Sequence, residues 1–153
     1  MDDRIQTLLT KYFQNIALAT GKENDNVRAK VAWSLAQEFL NRFPGLPVSF
    51  PDMRSSFRRF FAEQFPFADS IELKEVDANL IEVKILRCCF RDANWILNNE
   101  YGLTICPVSP IFVFAFSRGF NTSSNLISAQ ETDTGCIMQF SIGLDRCSCD
   151  CAF

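Results

Sequence analysis

Seven cysteines and no histidine set the chemistry open to this chain of 153 residues. Cys147, Cys149 and Cys151 alternate near the C-terminal end, while Cys88, Cys89, Cys106 and Cys136 occupy the second half of the chain. Alternate spacing places the three tail sulfurs on one side of an extended segment, or lets a turn gather them around a soft ion such as Zn(II) or Cu(I). Two other readings of the tail stand beside that one: thiols incidental to a chain end, or cysteines that are covalently modified or disulfide-linked. Without histidine, the common nitrogen ligand and the usual general base near neutral pH are both missing. Histidine-dependent triads are therefore excluded. A cysteine nucleophile needs a lysine, a helix N-terminus or a neighbouring charge to lower its pKa. Cys106, just ahead of Pro107, is the best-placed candidate, and its plainer reading is a small core residue. The sequence holds no glycine-rich phosphate loop, no C-x-x-C pair and no paired-carboxylate signature.

The aromatic content offers a second kind of site. Sixteen phenylalanines supply far more apolar volume than polar handles. A pocket for a hydrophobic ligand is built this way, and so are an ordinary core and a dimer interface. The expected lining is Phe57, Phe61, Trp95, Phe112 and Phe116, with Cys106 near the mouth.

The elements that position these residues follow from periodicity. From Asp3 to Thr20 the apolar residues Ile5, Leu8, Leu9, Phe13, Ile16 and Ala17 fall at helical spacing, and Gly21 supplies a stop. A second helix carries Val27, Val31, Leu35, Phe39 and Leu40 and ends before Pro44-Gly45; it is expected to pair with the first as a hairpin. After a proline-rich connector, Pro51-Asp52 introduces a third helix with Phe57, Phe60, Phe61 and Phe65 on one stripe. Alternation then takes over, and the polar turn Asp77-Ala78-Asn79 predicts a β-hairpin running to about Arg87. A short helix follows through Trp95 and stops at Gly102. The run from Pro107 to Phe120 reads as a helix with Pro110 in its first turn, against a buried strand over Ile111 to Phe116. A second hairpin, Asn125 to Glu131 and Cys136 to Ile142, closes the fold. The resulting order is α-α-α-ββ-α-α-ββ, an α+β fold with helices on one face of a small antiparallel sheet. Residues 1–143 form the domain and residues 144–153 the cysteine-rich tail.

The apolar fraction of 48% and charged fraction of 22% are those of a folded chain. A formal charge of −3 gives no general attraction to nucleic acid, and the cluster Arg54, Arg58, Arg59 reads as a solvated helix face. No stretch approaches the ~20 apolar residues that span a bilayer. The acidic start, MDDRIQ, lacks the pattern of a secretory signal, and an odd number of cysteines fits a reducing compartment. A cytoplasmic location with free thiols is expected.

Three segments carry a family resemblance: VKILRCCF at the end of the first hairpin, ICP before an apolar helix, and ETDTGCIMQFSI in the closing hairpin. Over about Val83 to Phe140 the chain resembles the superfamily of four-vinyl reductase domains, hydrocarbon-binding sensor domains, TRAPP-type trafficking subunits and small thiazoline-carboxylate hydrolase-like proteins. The resemblance implies helices covering one face of an antiparallel sheet, an apolar cavity between them, and homodimerisation through N-terminal helices. It also implies a zinc site on Cys88 or Cys89, Cys106 and Cys136. The adjacent pair Cys88-Cys89 and the tail thiols depart from that pattern.

The leading expectation is a non-enzymatic binding module for a small hydrophobic ligand, a pigment, lipid or tetrapyrrole-like molecule. A thiol-dependent metal protein holding zinc, copper(I) or an iron–sulfur cluster is the main alternative. A third reading makes the domain a carrier for the peptide DRCSCDCAF, modified at its cysteines by partner enzymes. A small enzyme acting through Cys106 is the fourth.

Overall fold

A computed structural model describes residues 3–143. Five α-helices and four strands alternate in the expected order. Helix α1 spans Asp3–Thr20 and passes through a single 3₁₀ turn, Gly21–Glu23, into α2, Asn24–Leu40. Gly21 holds a positive φ of 52°, a conformation that glycine adopts without steric penalty, and so turns the chain there. Each N-terminal helix finds its main packing partner elsewhere, α1 on α4 and α2 on α5, rather than in the other. The hairpin expected of them is replaced by that division: α1 buries Ala17 and half-buries Leu9, Phe13 and Ile16, α2 buries Ala32, Ala36, Phe39 and Leu40, and Ile5, Leu8, Val27 and Val31 of the expected stripes stay exposed.

Helix α3, Phe50–Glu63, starts where Ser49 caps it: the Ser49 hydroxyl accepts from the Asp52 amide at 3.3 Å, and proline occupies the first turn. Helix α4 covers Arg91–Tyr101 and ends at Gly102 in the left-handed region. Helix α5, Val108–Gly119, settles the ambiguous apolar run as a helix with Pro110 in its first turn.

The strands are β1 (Ser70–Asp77), β2 (Leu80–Leu86), β3 (Ser124–Thr132) and β4 (Gly135–Ile142), paired antiparallel in the order β1-β2-β4-β3. The Asp77 carboxylate accepts from the Asn79 amide at 2.8 Å and closes the first turn. Register sets Ile71 opposite Ile85, Leu73 opposite Val83, and Val83 opposite Met138. These residues share the buried face with Ile81 and Phe140. The other face carries Glu72, Lys74, Glu82, Lys84 and Gln139, so helices cover one side only.

Between sheet and helices lies a phenylalanine interior. Phe57, Phe112 and Phe116 are wholly buried and Phe61 nearly so. Phe57 stacks on Phe39 at 4.0 Å and sits 4.9 Å from Phe112, which in turn lies 5.8 Å from Phe140. No helix among the described residues is long and apolar enough to cross a membrane.

Candidate functional site: a cysteine cluster at one end of the sheet

One strand and two loops bring four cysteines to one end of the sheet. Cys88 and Cys89 follow β2 directly, Cys106 precedes α5, and Cys136 is the second residue of β4, opposite Ile85. All four are free thiols; Cys88 and Cys89 are buried, Cys106 and Cys136 half-buried. Gly135 makes this approach possible. A Cβ built on it would lie 1.8 Å from the Ile85 carbonyl oxygen, so any side chain there would push β4 off β2.

Long-range hydrogen bonds hold the cysteine-bearing segments. The Cys89 amide donates to the Phe67 carbonyl at 2.7 Å, and the Gln6 side chain of α1 donates to the Cys89 carbonyl at 3.1 Å. Arg28 Nε of α2 donates to the Cys106 carbonyl at 3.0 Å. Asn94 Oδ1 of α4 accepts from the Thr104 hydroxyl, from the Ile105 amide at 3.1 Å and from the Cys106 amide at 3.4 Å. One side chain thereby fixes the strand-like approach to α5.

The electrostatics favour neutral thiols. Burial pushes Cys88 far above its ordinary value, and ionised Cys106, Cys89 or Cys136 would raise it further. Burial raises Cys89 to about 11, and raises Cys136 to about 11 with help from Cys106 and Glu131. Cys106 is the informative case. The amides of Val108 and Ser109 at the start of α5, together with Arg28, favour its thiolate, yet burial outweighs them and the group stands at about 11. The placement that made Cys106 the best nucleophile candidate is present, and the activation is not.

These thiols lie within electrostatic reach of one another, but they do not form a metal cage. Among the described residues no three cysteine, aspartate or glutamate side chains are grouped to hold an ion. The zinc, copper or iron–sulfur expectation for Cys88, Cys89, Cys106 and Cys136 does not fit this arrangement, and Cys147, Cys149 and Cys151 lie outside the described residues.

A cleft of about 400 Å³ opens beside the cluster, with Cys88, Gln6, Arg87, Arg91 and Thr134 on its walls. Arg87 has a positive φ of 49°, donates its amide to the Thr134 carbonyl at 2.6 Å, and pairs with Asp69 at 2.6 Å. Arg91 Nε is buried without a partner among the described residues. Asp69, Asp92 and Asp133 also line the cleft, so its walls carry both signs of charge.

The five aromatic residues expected to line a pocket separate into two groups. Phe57, Phe61, Phe112 and Phe116 pack on one another in the interior. Trp95 is 54% exposed on α4 and belongs to no such group, because the buried face of α4 is taken by Ala93 and Leu97. Gln6, Arg28, Asn94 and Gly135 carry the site and were not anticipated. Only Gly135 left a sequence signal, as the glycine ahead of an alternating strand.

No protein-family model matches the chain, and no curated protein matches it in sequence.

Proposed function

We propose that the protein is a non-enzymatic binding module whose small ligand sits in the cleft over Cys88, with its apolar part against that thiol and its polar end toward Arg87 and Arg91. The observation that carries this reading is an open cleft with Cys88, Arg87 and Arg91 on its walls and Cys89, Cys106 and Cys136 within electrostatic reach of Cys88, while the phenylalanine interior is occupied by its own rings. The exposed stripe Ile5, Leu8 and Tyr12 on α1 supports a homodimer through that helix, and the free thiols fit a cytoplasmic, reducing setting.

The test is a single anaerobic preparation analysed by organic extraction with mass spectrometry, by absorption and by elemental analysis. A stoichiometric small molecule, lost when Cys88→Trp fills the cleft, is the expected result. Recovery of apoprotein alone, with no molecule from a cell extract retained, would count against it. A second reading, a thiophilic cation held between these cysteines, would require the segments that carry them to close up, because among the described residues no three are grouped to hold an ion. Stoichiometric zinc or copper in the same sample, released by Cys106→Ser, would select that reading. A tail modified by a partner enzyme would show as a departure from the encoded intact mass.

A further inference from the structure

We propose that the edge of β1 accepts an extended acidic segment of a partner protein as a fifth strand, seated in the groove between β1 and α3. Among the described residues β1 pairs with β2 on one side only, so alternate residues direct amide and carbonyl groups away from the sheet. The opposite wall is one face of α3, where Ser55, Arg58, Arg59 and Ala62 recur at i, i+3, i+4 and i+7, all exposed. The groove so enclosed measures about 480 Å³, with Phe61 and Ile71 at its base. A helix beside a free strand edge is the geometry in which main-chain hydrogen bonds supply affinity and the groove reads alternate side chains.

Charge selects the occupant. Arg58 makes no ion pair among the described residues, and Arg59 reaches only its own helix neighbour Glu63, at 3.7 Å. Of the two acids on the groove, Asp69 pairs with Arg87 at 2.6 Å, whereas Glu72 stands opposite Lys84 in the ladder and makes no ion pair among the described residues. The α3 wall of the groove, with Arg58 and Arg59, is therefore the positive side that an added strand would meet, and Glu72 lies on the β1 side beside Lys74 and Lys84. The hydroxyl of Ser70, on the same groove, is buried and without a partner among the described residues. The bulge between Glu75 and Asp77 interrupts the edge, leaving Ser70 to Glu75 as the regular stretch for pairing.

The probe is a fluorescein-labelled octapeptide, TVEVEVES, compared with its neutral counterpart TVQVQVQS by fluorescence anisotropy on the full chain. The acidic peptide should bind about tenfold more tightly, and the exposed double variant Arg58→Glu, Arg59→Glu should remove that preference. Ala62→Trp, also at an exposed position, should abolish binding by filling the groove, with the far-ultraviolet circular dichroism of both variants unchanged. Hydrogen exchange should show alternate amides of Ser70 to Glu75 slowed by the peptide. Absence of binding, equal binding to the charge-reversed variant, or binding without amide protection overturns the proposal. Protection already present in the free protein also overturns it. If that protection is independent of concentration, the occupant is the chain's own alternating segment with Cys147, Cys149, Cys151 and Phe153; if it grows with concentration, the occupant is a second copy.

Discussion

The phenylalanine interior and the cysteine end share one face of the same sheet, yet they are held by different forces. In the interior, Phe39, Phe57, Phe112 and Phe116 have no polar group to satisfy; each ring is walled by others at 4.0 to 5.5 Å, and stability comes from filled volume. At the cysteine end the thiols contribute little volume, and position depends on single hydrogen bonds from residues far away in sequence, such as Gln6 to Cys89 and Arg28 to Cys106. Damage should therefore spread differently: through cavities in the interior, and through orphaned polar groups or backbone collision at the cysteine end.

The sharpest way to break this comparison is Gly135→Ala. The new Cβ meets the backbone of Ile85, with 1.8 Å to its oxygen and 2.8 Å to its carbonyl carbon, so β2 and β4 must part. A loss of about 4 kcal/mol or more is expected, read as a fall in the urea midpoint or in soluble yield. Gly119→Ala is the control. Its first contact is the Met53 methyl at 2.1 Å, the far end of a flexible side chain, and the cost should stay near 1 kcal/mol. Equal costs at the two glycines would remove the claim that Gly135 governs the approach of Cys136. Next in size is Phe112→Ala, expected to cost about 3–5 kcal/mol by opening a cavity among rings that cannot all collapse into it. It should leave thiol reactivity in the folded state unchanged, which labelling with iodoacetamide checks.

The elements were legible where periodicity and turn chemistry agreed. The turn at Asp77 to Asn79 and the αL stop at Gly102 are local devices, and the sequence reading placed both hairpins to within a few residues. The apolar run before Phe120 resolved as a helix because Pro110 tolerates the first turn. Tertiary choices were not legible. Periodicity gives a helix its buried face but not its partner, so α1 on α4 and α2 on α5 were hidden. For the same reason Trp95 could not be told from a lining residue: an aromatic at a helical position buries only if its neighbours leave room. The four body cysteines stood out by type, whereas Asn94 did not. Its role depends on a loop ten residues away folding back on it, and no spacing rule records that.

Asn94→Ala tests the hydrogen-bonded end directly and should have a smaller effect than Gly135→Ala or Phe112→Ala. It strips a common acceptor from the Ile105 and Cys106 amides, at about 1–3 kcal/mol. Cys106 should then react faster with iodoacetamide at unchanged pH, because the segment that holds it beside the start of α5 is released. A stability loss with no change in Cys106 labelling would show that Asn94 stabilises α4 and does not position the thiol.

The smallest effect is a slope. In the unfolded chain these thiols titrate near 9.0, whereas burial raises Cys89, Cys106 and Cys136 to about 11 in the fold. Between those values the folded protein keeps protons that the unfolded chain has released, so unfolding is accompanied by proton loss and is favoured by raising the pH. The contribution of the buried thiols is fully present below pH 9 and declines as the pH approaches 11. The informative quantity is a difference between variants, in which every ionisable group they share cancels. Tm measured from pH 8 to 11 should fall less steeply for the double variant Cys106→Ala, Cys136→Ala than for the wild type, and the Phe112→Ala variant should keep the wild-type slope at a lower Tm. Parallel curves for all three proteins would mean that the cysteine end is solvated in the folded state, and the contrast between a neutral thiol cluster and a packed aromatic interior would be lost.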